Sequence, residues 1–207
     1  MRHKNYGIWQ TWTWAQALEI VRAYAVGLHR LGLKRGETIA IVGANRPKLY
    51  WSVMAAQMLG AVPVPVYADA VADELAFVLA HAETRFAAVE DQEQVDKIIS
   101  VKDRLPKLEE MVYDESRGLR DYDHSHMHPM DEVIENGRKA LREDASVGAW
   151  LDKEIAAGKG SDPSIILYTS GTTGASKGVV MTYERSIKAT TDTVAFDHGF
   201  GNEIECP

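Results

Sequence analysis

The chain has little cysteine and no long apolar run. Its 207 residues include a single cysteine, Cys206, which has no partner for an internal disulfide and therefore suits a reducing compartment. The most apolar stretch, residues 53–68, is shorter than the roughly 20 residues that span a bilayer and is interrupted by Gly60, Pro63 and Pro65. The first residues lack the apolar run typical of a signal peptide. These absences predict a soluble, cytoplasmic protein.

A surplus of basic residues is also missing. Asp and Glu total 30 against 23 Lys and Arg, which gives a net charge of −7. General nucleic-acid binding needs a basic face, so no nucleic-acid partner is expected. With 45% hydrophobic and 26% charged residues, the composition is that of an ordinary globular protein, and the length allows one large or two small domains.

Alternating helices and strands in the first part of the chain predict an α/β fold, with helices layered on a sheet. Thr13 can cap a helix whose apolar residues recur at helical spacing up to Gly32. Asn45 can cap a second helix that ends near Gly60, and a third helix is predicted over 70–82. Continuous apolar segments predict strands at 38–42, 62–66 and 86–89. The prolines of the second strand confine it to a sheet edge or a strand start.

Residues 90–160 differ from the rest in character. Charged residues crowd this segment and its apolar periodicity is weak, apart from amphipathic helices predicted at 129–141 and 145–157. We therefore interpret it as a charged helical insertion between an α/β unit at 1–89 and a loop region at 161–207.

A histidine cluster and a tryptophan cluster could each bind a ligand or have a purely structural role. Three alternating histidines lie in a predicted exposed loop over 121–129: His124, His126 and His128. No matching Cys or acidic set stands beside them at metal-ligand spacing, so a solvated loop is favoured over a metal site. Trp9, Trp12 and Trp14 could stack on a ring, but aromatic residues near a chain start more often pin that segment to the core.

The most distinctive stretch is residues 168–178, Tyr-Thr-Ser-Gly-Thr-Thr-Gly-Ala-Ser-Lys-Gly. Apolar and β-branched segments at 165–168 and 179–182 predict a short buried strand on either side. Glycines let backbone N–H groups approach an anion, hydroxyls donate further hydrogen bonds, and Lys177 adds a mobile positive charge. The stretch therefore predicts a polyphosphate-binding loop. The alternative is a Ser/Thr/Gly turn that binds nothing.

This loop is not the common phosphate loop that opens a helix. That motif requires Gly, four residues and then Gly-Lys-Ser/Thr. Here Gly171 and Gly174 are three apart and Lys177 is followed by Gly178. Asp162 and Glu184 flank the loop and could reach a Mg²⁺, although helix-cap and surface roles are favoured for them.

Tyr-Thr-Ser-Gly-Thr-Thr-Gly-x-x-Lys-Gly, as it stands at 168–178, resembles the signature of the adenylate-forming superfamily, which includes acyl-CoA synthetases, luciferases and peptide-synthetase adenylation domains. Upstream segments agree in order: Thr-Trp-Thr-Trp at 11–14, Gly-Glu-Thr-Ile-Ala-Ile at 36–41, Asn-Arg-Pro at 45–47 and Gly-Ala-Val-Pro-Val at 60–64. The charged segment and the helix around Trp150 are most similar to long-chain fatty acyl-CoA synthetases.

The resemblance implies an ATP-dependent acid–thiol ligase that acts on a long-chain fatty acid. It would use ATP and coenzyme A as co-substrates and Mg²⁺ as its cofactor. It places these residues at the β- and γ-phosphates: Thr169, Ser170, Gly171, Thr172, Thr173, Gly174 and Lys177. Thr169 would also lie near Mg²⁺. Other adenylating ligases, for aryl or amino acids, and a non-catalytic nucleotide-binding module remain open as alternatives.

The chain also departs from the family pattern. Ser176 stands where the family usually has proline, and Tyr183 stands where many members have histidine. Members continue for several hundred residues and supply catalytic groups that have no counterpart here, so no catalytic residue is assigned. The chain is expected to be an N-terminal fragment of the large AMP-binding domain, without the C-terminal domain and inactive alone. Peripheral membrane contact stays open, as does the oligomeric state.

Overall fold

The structure, a computed structural model, describes residues 1–169 and 176–196, the last three of these by backbone alone. Within these ranges the strands are β1 Arg2–Asn5, β2 Ile8–Thr11, β3 Thr38–Val42, β4 Val62–Val66, β5 Phe86–Val89, β6 Glu110–Tyr113, β7 Met127–Pro129, β8 Pro163–Thr169 and β9 Lys177–Thr182. The helices are α1 Trp14–Arg30, α2 Pro47–Met58, α3 Ala72–His81, α4 Gln92–Ser100, α5 Met130–Glu143, α6 Ala145–Ala156 and α7 Tyr183–Phe196.

A parallel five-stranded sheet forms the centre of the fold, with strand order β4-β3-β5-β6-β7. The chain first moves outward from β3 to β4 and then returns past β3 to β5. This reversal creates a switch point, and open sheets of this kind bind ligands at the carboxyl ends of their strands. The α/β prediction is confirmed, and β4 lies at the edge of this sheet as its prolines require.

Helices cover both faces of the sheet because successive strand residues point to opposite sides. Ile39 and Ile41 pack in the core beneath α1, α2, α5 and α6, whereas Ala40 and Val42 pack beneath α3 and α4. α1 begins with the predicted cap, since the Thr13 hydroxyl accepts a hydrogen bond from the backbone N–H of Gln16. No helix in the described ranges is long and apolar enough to cross a bilayer.

The second helix begins differently from the sequence prediction. Its N-cap is Arg46, without a side-chain capping bond, and not Asn45. Pro47 occupies the first helical turn, where its fixed backbone angle favours a helix start and its missing N–H leaves no donor unpaired. The proline therefore sets the boundary of α2 in place of a capping amide.

Residues 90–160 contain more than the predicted helices. The two predicted helices are present as α5 and α6, but α4 precedes them, and β6 and β7 extend the central sheet. Arg85, just before β5, pairs with Glu37 and Glu109, which precede β3 and β6. Glu109, a charged residue of this region, therefore joins the start of β6 to the start of β5 and does not only face solvent.

The structure also describes the histidine cluster and the tryptophan cluster. His126 Nδ1 and His128 Nε2 lie 3.1 Å and 2.7 Å from the carboxylate of Glu110. No group of three or more potential metal ligands occurs among the described residues. Of the three tryptophans, Trp12 packs against a core ring, but Trp9 and Trp14 are 58% and 76% exposed. The prediction that the cluster pins the chain start to the core is therefore wrong for those two.

Candidate functional site

The distinctive loop is carried by a β-hairpin. β8 and β9 pair antiparallel, with Thr169 opposite Lys177 and Tyr168 opposite Gly178. The two predicted flanking strands are thus confirmed, although both are half-exposed and not buried. Directly opposed residues project from the same face, with Cβ atoms about 4.5–5.5 Å apart. Thr169 and Lys177 therefore lie side by side on one face of the hairpin, where β8 ends and β9 begins.

Five of the predicted phosphate-binding residues lie outside the described residues: Ser170, Gly171, Thr172, Thr173 and Gly174. The two that are described, Thr169 and Lys177, are both exposed. The backbone of Lys177 pairs in the strand ladder, and among the described residues no hydrogen bond or ion pair engages its ammonium. Its ammonium is therefore available to an anion that enters from solvent.

Tyr168 anchors the start of the loop to α3. Its hydroxyl lies 2.6 Å from Nδ1 of His81, whose ring meets the tyrosine ring edge-on and stacks on Phe77. Burial raises the pKa of the Tyr168 hydroxyl above its usual value, so it stays a neutral hydrogen-bonding group at physiological pH. On the other side, a Cβ added to Gly178 would lie 3.1 Å from Cζ of Tyr168. Glycine at 178 lets the tyrosine ring lie close across the strand pair.

Tyr168→Phe is expected to lower the free energy of unfolding by roughly 0.5–1.5 kcal/mol, because it removes the hydrogen bond to His81. Urea denaturation of the purified chain measures the difference. In a His81→Ala background the same substitution should cost markedly less, since the partner is already gone. Tyr50→Phe, at a half-exposed ring, is the matched control and should change stability by less than about 0.5 kcal/mol. An equal cost in both backgrounds would contradict the anchoring role.

The base of the hairpin is fixed to α2. Gln57 Nε2 donates to the carbonyl of Ser164 at 2.9 Å, and the buried Ser164 hydroxyl donates to the carbonyl of Met181 across the strands at 3.0 Å. Tyr183, which follows β9, donates its hydroxyl to the carbonyl of Gln57 at 3.4 Å. Burial raises the pKa of Tyr183 above its usual value. Tyr183 thus holds the end of the hairpin against α2, which is a structural contact.

A cavity of about 810 Å³ adjoins the hairpin at the carboxyl ends of β3 and β4. Its walls come from three separate segments, 43–45 after β3, 67–69 after β4 and 165–169 of β8, together with side chains of α2. Thr169 lies on its rim. Because the lining is mostly apolar, the cavity suits an uncharged part of a ligand.

Charged side chains behind the cavity hold its walls. The buried carboxylate of Glu90 accepts a hydrogen bond from the backbone N–H of Ala44 at 2.5 Å and forms an ion pair with Nε of Arg46 at 2.9 Å. Lys97 Nζ donates to the carbonyl of Ala68 at 2.7 Å. These contacts fix the loops after β3 and β4. Sequence reasoning missed them, although a glutamate directly after a buried strand was a usable signal.

The acidic residues beside the loop take structural roles. Asp162 Oδ2 accepts a hydrogen bond from the backbone N–H of Lys159 at 2.8 Å, which closes a turn. The backbone N–H of Glu184 donates to the carbonyl of Gly160. Thr169, the residue predicted to lie near Mg²⁺, lines the cavity beside the loop. One hydroxyl fits Mg²⁺, which keeps water and takes substrate phosphates as most of its ligands.

Comparison with known proteins gives a consistent result. The model of the family described as AMP-binding enzyme matches residues 2–204. The long-chain-fatty-acid–CoA ligase FadD15 of Mycobacterium tuberculosis is 31% identical over 179 residues, which are 85% of this chain and 27% of that protein. The long-chain-fatty-acid–CoA ligase ACSBG1 of Bos taurus is 28% identical over 89% of this chain and 24% of its own length. The chain thus spans about a quarter of these relatives.

Solved structures share the fold. A long-chain-fatty-acid–CoA ligase, FadD1 of Archaeoglobus fulgidus, superposes with a TM-score of 0.69 at 19% identity over 87% of this chain and 31% of that one. The anthranilate–CoA ligase AuaEII, in complex with anthranoyl-AMP, superposes with a TM-score of 0.68 at 22% identity over 82% of this chain and 29% of that one. At such identities the likeness establishes the fold alone.

Proposed function

Because this chain belongs to the AMP-binding enzyme family, we propose that it supplies the ATP-phosphate-binding loop of an acid–thiol ligase that activates a long-chain fatty acid. The observation that carries the proposal is the strand register that sets Thr169 opposite Lys177 at the mouth of the loop. Since the chain spans about a quarter of its curated relatives, the complete reaction is proposed for the longer enzyme of which residues 1–207 are one part.

The proposed reaction has two steps. A carboxylate oxygen of the acid attacks the α-phosphorus of ATP, the bond to the β-phosphate oxygen breaks, and acyl-adenylate and pyrophosphate form. The thiol of coenzyme A then attacks the acyl carbon, loses its proton and displaces AMP, which leaves a thioester. In the first step negative charge grows on the departing pyrophosphate, and fixed donors aimed at that charge lower the barrier.

The loop residues would provide those donors. Lys177 places a cation beside the β- and γ-phosphates, while Thr169 and Thr172 offer hydroxyls and Gly171 and Gly174 offer backbone N–H groups. Ser170 and Thr173 are proposed to complete the cradle with further hydroxyls. When bound, Mg²⁺ neutralises phosphate charge, and Thr169 is the residue proposed to lie beside it.

The positioning of the loop supports the same proposal. Tyr168 is held between His81 and Gly178, and Ser164 and Tyr183 tie the hairpin base to Gln57. Donors on a braced support need little reorganisation when charge develops, which is the condition for effective electrostatic stabilisation.

We also propose that 1–89, 90–160 and 161–207 belong to one large AMP-binding domain. β6 and β7 of the middle segment continue the sheet begun by β3, β4 and β5, and Gln57 of the first segment holds the hairpin of the last. The long-chain fatty acid is favoured as substrate because FadD15 and ACSBG1 carry that name.

ATP–pyrophosphate exchange by the enzyme that contains this chain tests the proposal, with a panel of fatty, aryl and amino acids. We expect exchange that depends on Mg²⁺ and on a long-chain fatty acid, and thioester formation once coenzyme A is added. Exchange with aryl or amino acids alone would overturn the fatty-acid assignment. ATP binding without exchange for any acid would support a non-catalytic nucleotide-binding module instead.

A further inference from the structure

A second cavity, of about 640 Å³, lies at the carboxyl ends of the central strands and has no role in the proposed reaction. Its walls include 46–48 after β3, 114–116 after β6 and Asp131 after β7. It shares none of its described lining residues with the cavity beside the phosphate loop. Open parallel sheets bind ligands at this end, and sites for small molecules measure about 300–1,000 Å³. We call it the polar cavity.

The hairpin of β1 and β2 forms the outer wall of the polar cavity. His3 lies opposite Gln10, and Asn5 lies two residues from His3, so the three side chains share one face of the hairpin. All three line the cavity, as does Tyr6 at the tip. The Tyr6 hydroxyl accepts a hydrogen bond from Nη2 of Arg117 at 2.6 Å, which ties the tip to the loop after β6. The wall therefore has a fixed position.

The charged groups of the polar cavity are already paired with one another or with their neighbours. The ion pairs are Arg46–Glu90 at 2.9 Å, Lys48–Asp114 at 2.7 Å, Lys48–Asp131 at 2.9 Å and Glu115–Arg117 at 3.5 Å. Neither sign of charge is in large excess, since three cations face four carboxylates. A charged ligand would have to compete with these pairs for its partner. The lining therefore favours an uncharged ligand.

Neutral polar groups of the same lining keep their hydrogen-bonding capacity. Within the described ranges, no hydrogen bond engages the side chains of Asn5, Gln10 or Ser116. Each amide can donate and accept, and so can the serine hydroxyl. A matching ligand needs several groups that also donate and accept, and hydroxyl groups have this property.

Trp51 adds a buried donor to the polar cavity. This residue of α2 lines the cavity and is 4% exposed, and its indole N–H has no hydrogen-bond acceptor in the described part of the chain. A buried donor without an acceptor is costly, so an oxygen atom of a ligand would be favoured beside it. The ring of Trp12, which also lines the cavity, meets the Trp51 ring edge-on at 5.3 Å. The two rings offer apolar surface to the carbon atoms of the same ligand.

We propose that the polar cavity binds a small uncharged cyclic polyol, a molecule of the size and chemistry of a monosaccharide. Its hydroxyl groups pair with the free side chains of Asn5, Gln10 and Ser116, and one of its oxygens accepts from the Trp51 indole. Its ring carbons lie against the tryptophan rings. This binding does not depend on the phosphate loop, so its failure would leave the proposed ligase reaction untouched.

Saturation-transfer NMR on the purified chain tests the proposal, with D-glucose and myo-inositol as the probes. We expect saturable binding of at least one probe with a Kd on the order of 1 mM, as suits a ligand with few atoms. Gln10→Ala and Ser116→Ala should each weaken binding by about threefold, because each removes one hydrogen bond at an exposed site. Trp51→Phe keeps an aromatic ring without the N–H and should weaken binding by about fivefold. Far-UV circular dichroism checks that the variants fold.

Thr11→Ala is the matched control for Gln10→Ala. Thr11 is the next residue of β2, is exposed and projects from the opposite face of the hairpin, so its loss should leave polyol binding unchanged. Inorganic phosphate and ethanolamine serve as charged probes, and neither should displace the polyol. Displacement by either one would overturn the proposal in favour of a site for an anion or an amine. Absence of saturable binding of both polyols, or binding that Gln10→Ala, Ser116→Ala and Trp51→Phe all leave unchanged, would overturn it outright.

Discussion

Lys177→Ala is expected to slow adenylate formation by roughly 10²–10³-fold, the loss typical of removing one preorganised donor from a site where charge develops. Lys177 is the cation that β9 brings opposite Thr169 at the end of the loop. Its loss should therefore lower the rate of the chemical step more than it weakens ATP binding. Single-turnover formation of acyl-adenylate by the enzyme that contains this chain, measured at several ATP concentrations, separates the two effects.

Two further variants make this test specific. Lys188→Ala removes an exposed lysine of α7 that pairs with Asp192, and it should leave the rate within about twofold, because exposed ion pairs contribute little. Lys177→Arg keeps the charge but changes its shape, so it should recover part of the lost rate. If Lys177→Ala reacts at the wild-type rate, Lys177 is not a phosphate ligand in the reacting complex.

The support of the loop could be predicted from the sequence because it is local. β-branched residues on both sides of a Gly/Ser/Thr stretch predict two strands, and two strands joined so closely predict antiparallel pairing. Antiparallel pairing alone does not fix the register that opposes Thr169 and Lys177, because register also depends on the geometry of the connection. The anchor of Tyr168 on His81 could not be predicted, because the two residues are 87 positions apart and meet only through the packing of α3.

The cavity was not predictable for the same reason. Its walls at 43–45, 67–69 and 165–169 come together only because β3, β4 and β8 end at the same edge of the fold. Hydrophobic periodicity locates each strand but does not give the order of strands in a sheet. The buried Glu90 is a partial exception, since a carboxylate straight after the apolar strand β5 indicates a polar group at a strand end.

The prediction for 90–160 is incomplete, because two short strands lie among the charged residues of this segment. β6 has four residues and β7 three, too few to display alternation. The high density of charge predicts a solvated segment, yet Glu109 pairs with Arg85 and joins the start of β6 to the start of β5. The prediction for Trp9 is wrong in the opposite direction. Its large aromatic side chain is typical of the core, yet it lies on the surface.

Gly137→Ala is expected to lower the free energy of unfolding by about 3 kcal/mol or more. α5 crosses α1 so closely at this residue that an added Cβ would overlap the carbonyl oxygen of Ala23, and Gly27 of α1 faces the carbonyl of Val133 in the same way. The obstacle is backbone, which cannot rotate aside as a flexible side chain does. The two helices must move apart, and the core that they share with the sheet loosens. Urea denaturation of the purified chain measures the loss.

Gly148→Ala is the matched control, the same change inside another helix. In α6 the nearest atom to an added Cβ at 148 is a side-chain carbon of Leu141, 3.9 Å away, which is ordinary contact. Alanine has the higher helix propensity, so this variant should gain up to about 1 kcal/mol. If Gly→Ala lowers the free energy of unfolding at 137 and raises it at 148, the need for glycine at 137 comes from the close α1–α5 contact. A gain at both positions would show that the helices do not approach as described, and the packing that holds the sheet beneath α1 would need revision.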